Sequence, residues 1–126
     1  MLVEALQHSP LYDWHLAAGA KMAPFGGWEM PVEYAGAGVL AEHAAVRERI
    51  GIFDVSHLGK LQVSGPGAVD YLDSRLANDL AKVAPGHAQY TLLCNEAGGV
   101  IDDLIAYVFG PDEVLLIPNA ANATTV

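Results

Sequence analysis

A chain of 126 residues with 52% hydrophobic content is long enough for one domain with a moderate core and too apolar to remain disordered. Its formal charge is −9, and its six basic residues, Lys21, Arg47, Arg49, Lys60, Arg75 and Lys82, are dispersed along it. This balance argues against nucleic acid or an anionic membrane surface as a partner, since both need a basic footprint. In chain order, residues 1–8 read as a ragged start without the basic opening and apolar core of a signal peptide. Ser9-Pro10 predicts a helix start, LYDWHLAA a short helix, and Gly19 its stop. The stretch KMAPFGGWEMPVEY (Lys21–Tyr34) carries Pro24, Gly26, Gly27 and Pro31, which exclude a helix, and aromatic residues that exclude a loose linker. It is expected to be irregular or briefly extended, packed on a core or lining a pocket for a flat ligand. Val39–Ile50 predicts a helix with an apolar stripe at Val39, Leu40, His43, Val46 and Ile50, closed by Gly51.

Asp54, Ser56 and His57 follow within one extended segment. A catalytic triad converges from separate elements, so neighbours this close argue against one, and Asp54 and Ser56 are read as polar turn contacts. Leu58–Ser64 alternates as a strand and Ala68–Leu76 has helical spacing. Residues 87–95, 100–108 and 113–118 predict three further strands. The order strand, helix, strand, strand, strand predicts an α+β fold, with an incomplete ferredoxin-like β-α-β-β-β unit. Asn119–Val126 reads as the beginning of another helix, capped by Asn119 or Asn122, so the chain is expected to be the front part of something longer. A lone Cys94 excludes an internal disulfide framework and suits a reducing compartment. No apolar run approaches the roughly 20 residues that a membrane helix needs. No metal-ligand spacing and no phosphate loop appear.

The most informative stretch is YTLLCNEAGGVIDDLIAY, Tyr90–Tyr107. Two strands flank Asn95-Glu96-Ala97-Gly98-Gly99, whose glycines suit a tight turn. Asp102 and Asp103 interrupt the second strand. Side chains alternate faces, so the two carboxylates point in opposite directions, and an inward one is costly unless it is paired, hydrogen-bonded or used. Two readings follow: a site, or a pair of carboxylates at an edge or on a wet face.

The segments SPLYDWHLAAGAKM, PFGGWEMPVEY, GIFDVSHLGKLQVSGPGA, AQYTLLCNEAGGVIDDL and IPNAAN together resemble the N-terminal part of the aminomethyltransferase (T-protein) family of the glycine cleavage system. FDVSH followed by NEAGGVIDD is the distinctive pairing. The resemblance implies a three-domain cloverleaf fold of which this chain covers the first third. Residues 1–51 would be a helix-loop-helix segment of the first family domain, and 52–126 an incomplete folate-binding unit. It further implies transfer of a one-carbon unit from the aminomethyl-lipoyl arm of H-protein to tetrahydrofolate, with release of ammonia, in the cytoplasm. Asp103 falls on the family's catalytic carboxylate, and Tyr90, Leu58 and Asn119 on its folate pocket, Leu58 standing where Met is common. No metal is implied. The 126 residues alone are expected to be inactive, the cations for the folate tail lying beyond Val126. Two alternatives stay open. One is a folate-dependent relative, a demethylase or an iron–sulfur maintenance protein. The other is a non-catalytic truncated module whose uncovered sheet favours self-association.

Overall fold

The computed structural model describes residues 5–36 and 38–126, which fall into two compact units, Met1–His57 and Leu58–Val126. In the first unit, β1 (Gln7–His8), α1 (Tyr12–Ala17), β2 (Ala20–Phe25), β3 (Trp28–Tyr34) and α2 (Gly38–Glu48) follow one another. β3 lies between β1, which is parallel to it, and the antiparallel β2. Of the expected ragged start, Gln7 and His8 pair with Trp28 and Glu29, and residues 1–4 lie outside the described residues.

The segment read as irregular is therefore a β-hairpin. Gly26 and Gly27 turn it, both at positive φ, and each proline sits where its missing N–H does least harm. Pro24 is on the edge strand β2. Pro31 lies beyond the Trp28–Glu29 pairing of β1 and faces the register shift at Lys21/Met22. α1 begins two residues after Pro10, because Ser9 is engaged in a turn: its carbonyl accepts from Tyr12 N–H and its Oγ from Leu11 N–H. α2 ends at Glu48, two residues short of the predicted Ile50, and buries none of its residues: Leu40 is 86% exposed, and Ile50, beyond its end, 80%. A small three-stranded sheet cannot cover a whole helix face, and among the described residues of this unit Met30 is the one buried hydrophobic side chain.

The second unit holds β4 (Leu61–Ser64), α3 (Ala68–Asp73), a short 3₁₀ turn (Leu80–Lys82), β5 (His87–Cys94), β6 (Val100–Gly110) and β7 (Glu113–Ile117). The strands form one antiparallel sheet in the order β4-β7-β6-β5. β5, β6 and β7 are a meander, and α3 crosses from β4 at one edge to β5 at the other. Leu72, Leu76 and Leu80 pack on Leu104, Ala106, Val108, Val114 and Leu116 to make the core. These last five alternate along β6 and β7, as a sheet with one covered face requires.

Gly59 ties the start of this unit to the end of β7, its N–H donating to Pro118 C=O at 2.9 Å. A Cβ added there would lie 2.6 Å from Pro118 Cγ and 2.9 Å from Ala123 Cβ. Gly59→Ala should destabilise the protein by about 1–3 kcal/mol, the cost of overpacking a close contact, read as a lowered thermal midpoint. An unchanged midpoint would mean that the 118–123 segment gives way freely.

Candidate functional site

The turn at 95–99 fixes the register of β5 against β6. Asn95 Oδ1 accepts from Ala97 N–H (3.0 Å) and Gly99 N–H (2.8 Å), and Gly98 takes φ of +82°. At Gly99 a Cβ would approach Asn95 Nδ2 to 2.9 Å, so a larger residue there would displace the Asn95 amide. From this turn β6 runs with alternate faces. Asp102 heads the covered row that continues through Leu104, Ala106 and Val108, whereas Asp103 is exposed on the opposite face.

The two carboxylates meet different partners. Asp102 is 2% exposed and accepts three N–H bonds: Asn119 N–H (2.9 Å) and Asn119 Nδ2 (3.1 Å) on different oxygens, and Asn122 Nδ2 (2.8 Å). An ionised carboxylate is acceptor-only, so this donor set suits it and offsets its desolvation. Asp103 accepts from the Tyr90 hydroxyl at 2.6 Å and from Asn119 Nδ2 at 2.9 Å. Tyr90 is opposite Ile105, which places it diagonally from Asp103 on the same face. Its hydrogen bond to Asp103 pushes the phenol pKa up, since the carboxylate favours the protonated hydroxyl.

Of the residues singled out in the sequence, the structure joins Tyr90, Asp103 and Asn119 through hydrogen bonds. Leu58 is half-buried and makes none of these contacts; it precedes Gly59, which is bonded to Pro118. The expected helix at 119–126 is a run of turns, with Asn122 N–H bonded to Asn119 C=O and Val126 N–H to Asn122 C=O. Both asparagines spend their side chains on Asp102 and Asp103 rather than on capping a helix.

A second polar cluster lies inside the first unit, and it was legible only in part. Asp54 Oδ1 accepts from Ser56 N–H at 2.9 Å, the anticipated turn contact. Its Oδ2 also accepts from Ser9 Oγ and, at 2.8 Å, from His15 Nε2. His15 Nδ1 lies 2.7 Å from the Tyr34 hydroxyl. The carboxylate stands between serine and histidine, so this is not a nucleophilic triad, in which histidine takes the middle place. Burial pushes the Asp54 carboxyl up, but bonds from His15, Ser56 and Ser9 outweigh it and hold the group well below the usual carboxylate range. Four side chains from four segments close a unit that has little apolar core. Beside them Phe25, Met30, Val39, Val46, Ile52 and Phe53 line an open hollow of about 790 Å³. Phe25 and Met30 come from the stretch expected to line a pocket.

Among the described residues no group of three His, Cys, Asp or Glu is arranged to hold a metal, and no helix is long and apolar enough to cross a membrane.

The profile of the family described as "GCVT N-terminal domain" matches residues 11–126. The chain belongs to this family. It is 64% identical over 121 residues to an aminomethyltransferase of Frankia alni, a match covering 96% of the chain and 33% of the relative. It is 57% identical over 124 residues to one of Mycobacterium bovis, covering 98% and 33%. The crystal structure of glycine cleavage system aminomethyltransferase T from Bartonella henselae superposes with a TM-score of 0.90 at 42% identity, over 95% of this chain and 33% of that one. The α+β fold is thus that of the N-terminal part of a T-protein. The GCVT N-terminal domain chain spans about a third of the length of the relatives it matches.

Proposed function

We propose that this chain supplies the folate-binding and catalytic carboxylate portion of an aminomethyltransferase of the glycine cleavage system. The observation that carries the reading is the hydrogen-bonded set Tyr90–Asp103–Asn119 on the exposed face of β6, in a chain of this family. The substrates are tetrahydrofolate and the aminomethyl-lipoyl arm of H-protein, and the setting is the cytoplasm. Residues 52–126 are the folate-binding part, and 1–51 belong to the first family domain.

The reaction breaks the C–S and C–N bonds of the aminomethyl carbon and forms two C–N bonds to folate. The two folate N–H protons end on the lipoyl sulfur and on the departing ammonia. Positive charge develops on the carbon as ammonia leaves, and an ionised carboxylate at that point stabilises it and accepts a proton. Asp103 has the needed form: exposed, acceptor-only and oriented from two sides. Tyr90 offers an aromatic face for a flat pterin, with Leu58 as an apolar wall.

The test is a chimera in which this chain replaces the matching N-terminal third of the Frankia alni relative. It should form methylenetetrahydrofolate from aminomethylated H-protein and tetrahydrofolate, and Asp103→Asn should abolish most of that turnover. A folded but inactive chimera, or full activity in Asp103→Asn, overturns the reading. Tyr90→Phe should lower kcat/KM for tetrahydrofolate about tenfold, as expected for one hydrogen bond to a charged group. Steady-state kinetics with varied folate read this directly.

A further inference from the structure

The reading above uses Asp103 and leaves the buried carboxylate beside it without a role. Its setting is specific. Asp102 holds the backbone N–H and side-chain amide of Asn119 and the side-chain amide of Asn122, all within 3.1 Å. The same Asn119 Nδ2 is 2.7 Å from Asp103 C=O and 2.9 Å from Asp103 Oδ1. Every neighbour of that nitrogen is an acceptor. A flipped amide would bring its oxygen against three acceptors, so the amide has one allowed orientation.

We propose that Asp102 is a positioning residue for the folate site: it clamps the Asn119–Asn122 turn and, through the Asn119 amide, sets the direction of the Asp103 carboxylate. The inference rests on Asp103 being the catalytic group. The chain of contact runs from a rigid element outward. Asp102 is fixed in the covered row of β6, Asn119 is fixed by two bonds to Asp102, and Asp103 Oδ1 is fixed by Asn119. Oδ2 remains with Tyr90, the one partner on the far side. Without the clamp, the backbone N–H of Asn119 and the amide of Asn122 lose their acceptor, and the Asn119 amide keeps only Asp103 itself, through C=O and Oδ1, so nothing ties its position to the covered row of β6. Asp103 then samples rotamers in which neither oxygen faces the reacting carbon. Asp102 itself points away from that face and touches no substrate.

Two measurements separate positioning from mere support of the fold. The first is made on the 126-residue chain by proton–nitrogen and carboxyl-carbon correlation spectra. Asp102→Asn and Asn122→Ala, the milder change, should both shift the Asn119 side-chain amide and the Asp103 carboxyl carbon. Unmoved Asp103 and Asn119 signals in a folded variant overturn the proposal, and Asn122→Ala serves if Asp102→Asn does not fold.

The second is a double-mutant cycle in the chimera. Asp102→Asn should lower kcat about tenfold, less than Asp103→Asn, with KM for tetrahydrofolate within about threefold, as misplacement of a catalytic group does. In an Asp103→Asn background the same change should cost nothing further, because its effect passes through Asp103. Losses that multiply overturn the inference, as does an Asp102→Asn loss equal to that of Asp103→Asn. Full turnover in Asp103→Asn alone instead defeats the functional reading, and the spectra then still decide whether the clamp exists.

Discussion

Asp103→Asn in the chimera should lower kcat by about 10²–10⁴-fold with folate KM little changed, the range expected when a general acid–base group is removed. Asparagine keeps the size of the side chain and its exposed position, and it still offers one acceptor oxygen. It loses the negative charge and one acceptor oxygen, and the amide nitrogen in that place is accommodated by a Tyr90 hydroxyl turned to accept, while the remaining oxygen still accepts from Asn119. The far-ultraviolet circular dichroism should therefore be unchanged, since Asp103 contributes nothing to the core beneath β6. A drop of less than tenfold would place the proton-accepting group elsewhere.

His15→Ala should cost about 1–3 kcal/mol, the usual result of taking a hydrogen-bond donor away from a buried acceptor. The side chains of His15 and Asp54 are 3% and 2% exposed, so the carboxylate, left with Ser9 and Ser56 as donors, cannot replace His15 by turning to bulk water. With Met30 the sole buried hydrophobic among the described residues of that unit, the loss should unfold it locally. Trp14 and Trp28 both lie there and report it by fluorescence and near-ultraviolet circular dichroism. The sign with pH follows from the lowered Asp54 pKa. A carboxyl depressed in the folded state stabilises above its unfolded value, about pH 4, and loses that contribution as the pH falls below it. The native chain should thus weaken steeply in acid, whereas His15→Ala should be weaker at neutrality and flatter below pH 4. Equal acid slopes in denaturant titrations would show that His15 does not hold the charge.

The half of the fold built on alternation was legible in the sequence. Strands β5, β6 and β7 and helix α3 follow from period and turn residues, and the opposite facing of Asp102 and Asp103 follows from strand geometry alone. Three features were not. The hairpin at 20–34 was hidden because two prolines demote a strand unless its edge position and a register shift are known. The turns at 119–126 resembled a helix start because asparagine caps helices, and only the carboxylates of β6, sixteen to twenty residues away in sequence, redirect those side chains. The Ser9–Asp54–His15–Tyr34 cluster joins residues up to 45 positions apart, and no local pattern signals such a meeting. The site residues Asp103, Tyr90 and Asn119 were chosen by resemblance, and their mutual hydrogen bonds came from the folded chain.

One strand, β6, carries the hydrophobic row of its unit on one side and Asp103 on the other, with a period of two residues. Insertions along it therefore have unequal consequences. An extra residue in the 95–99 turn can be absorbed at the irregularity between Leu93 and Cys94, where the pairing already shifts. An extra residue between Asp103 and Leu104 changes the parity of everything that follows. Leu104, Ala106 and Val108 would be turned toward water, or else Asp103 would be driven into the core and Asp102 out of it. No side-chain substitution repairs both at once. Length changes in this protein should thus be tolerated at the hairpin tip and forbidden in the strand four residues beyond it.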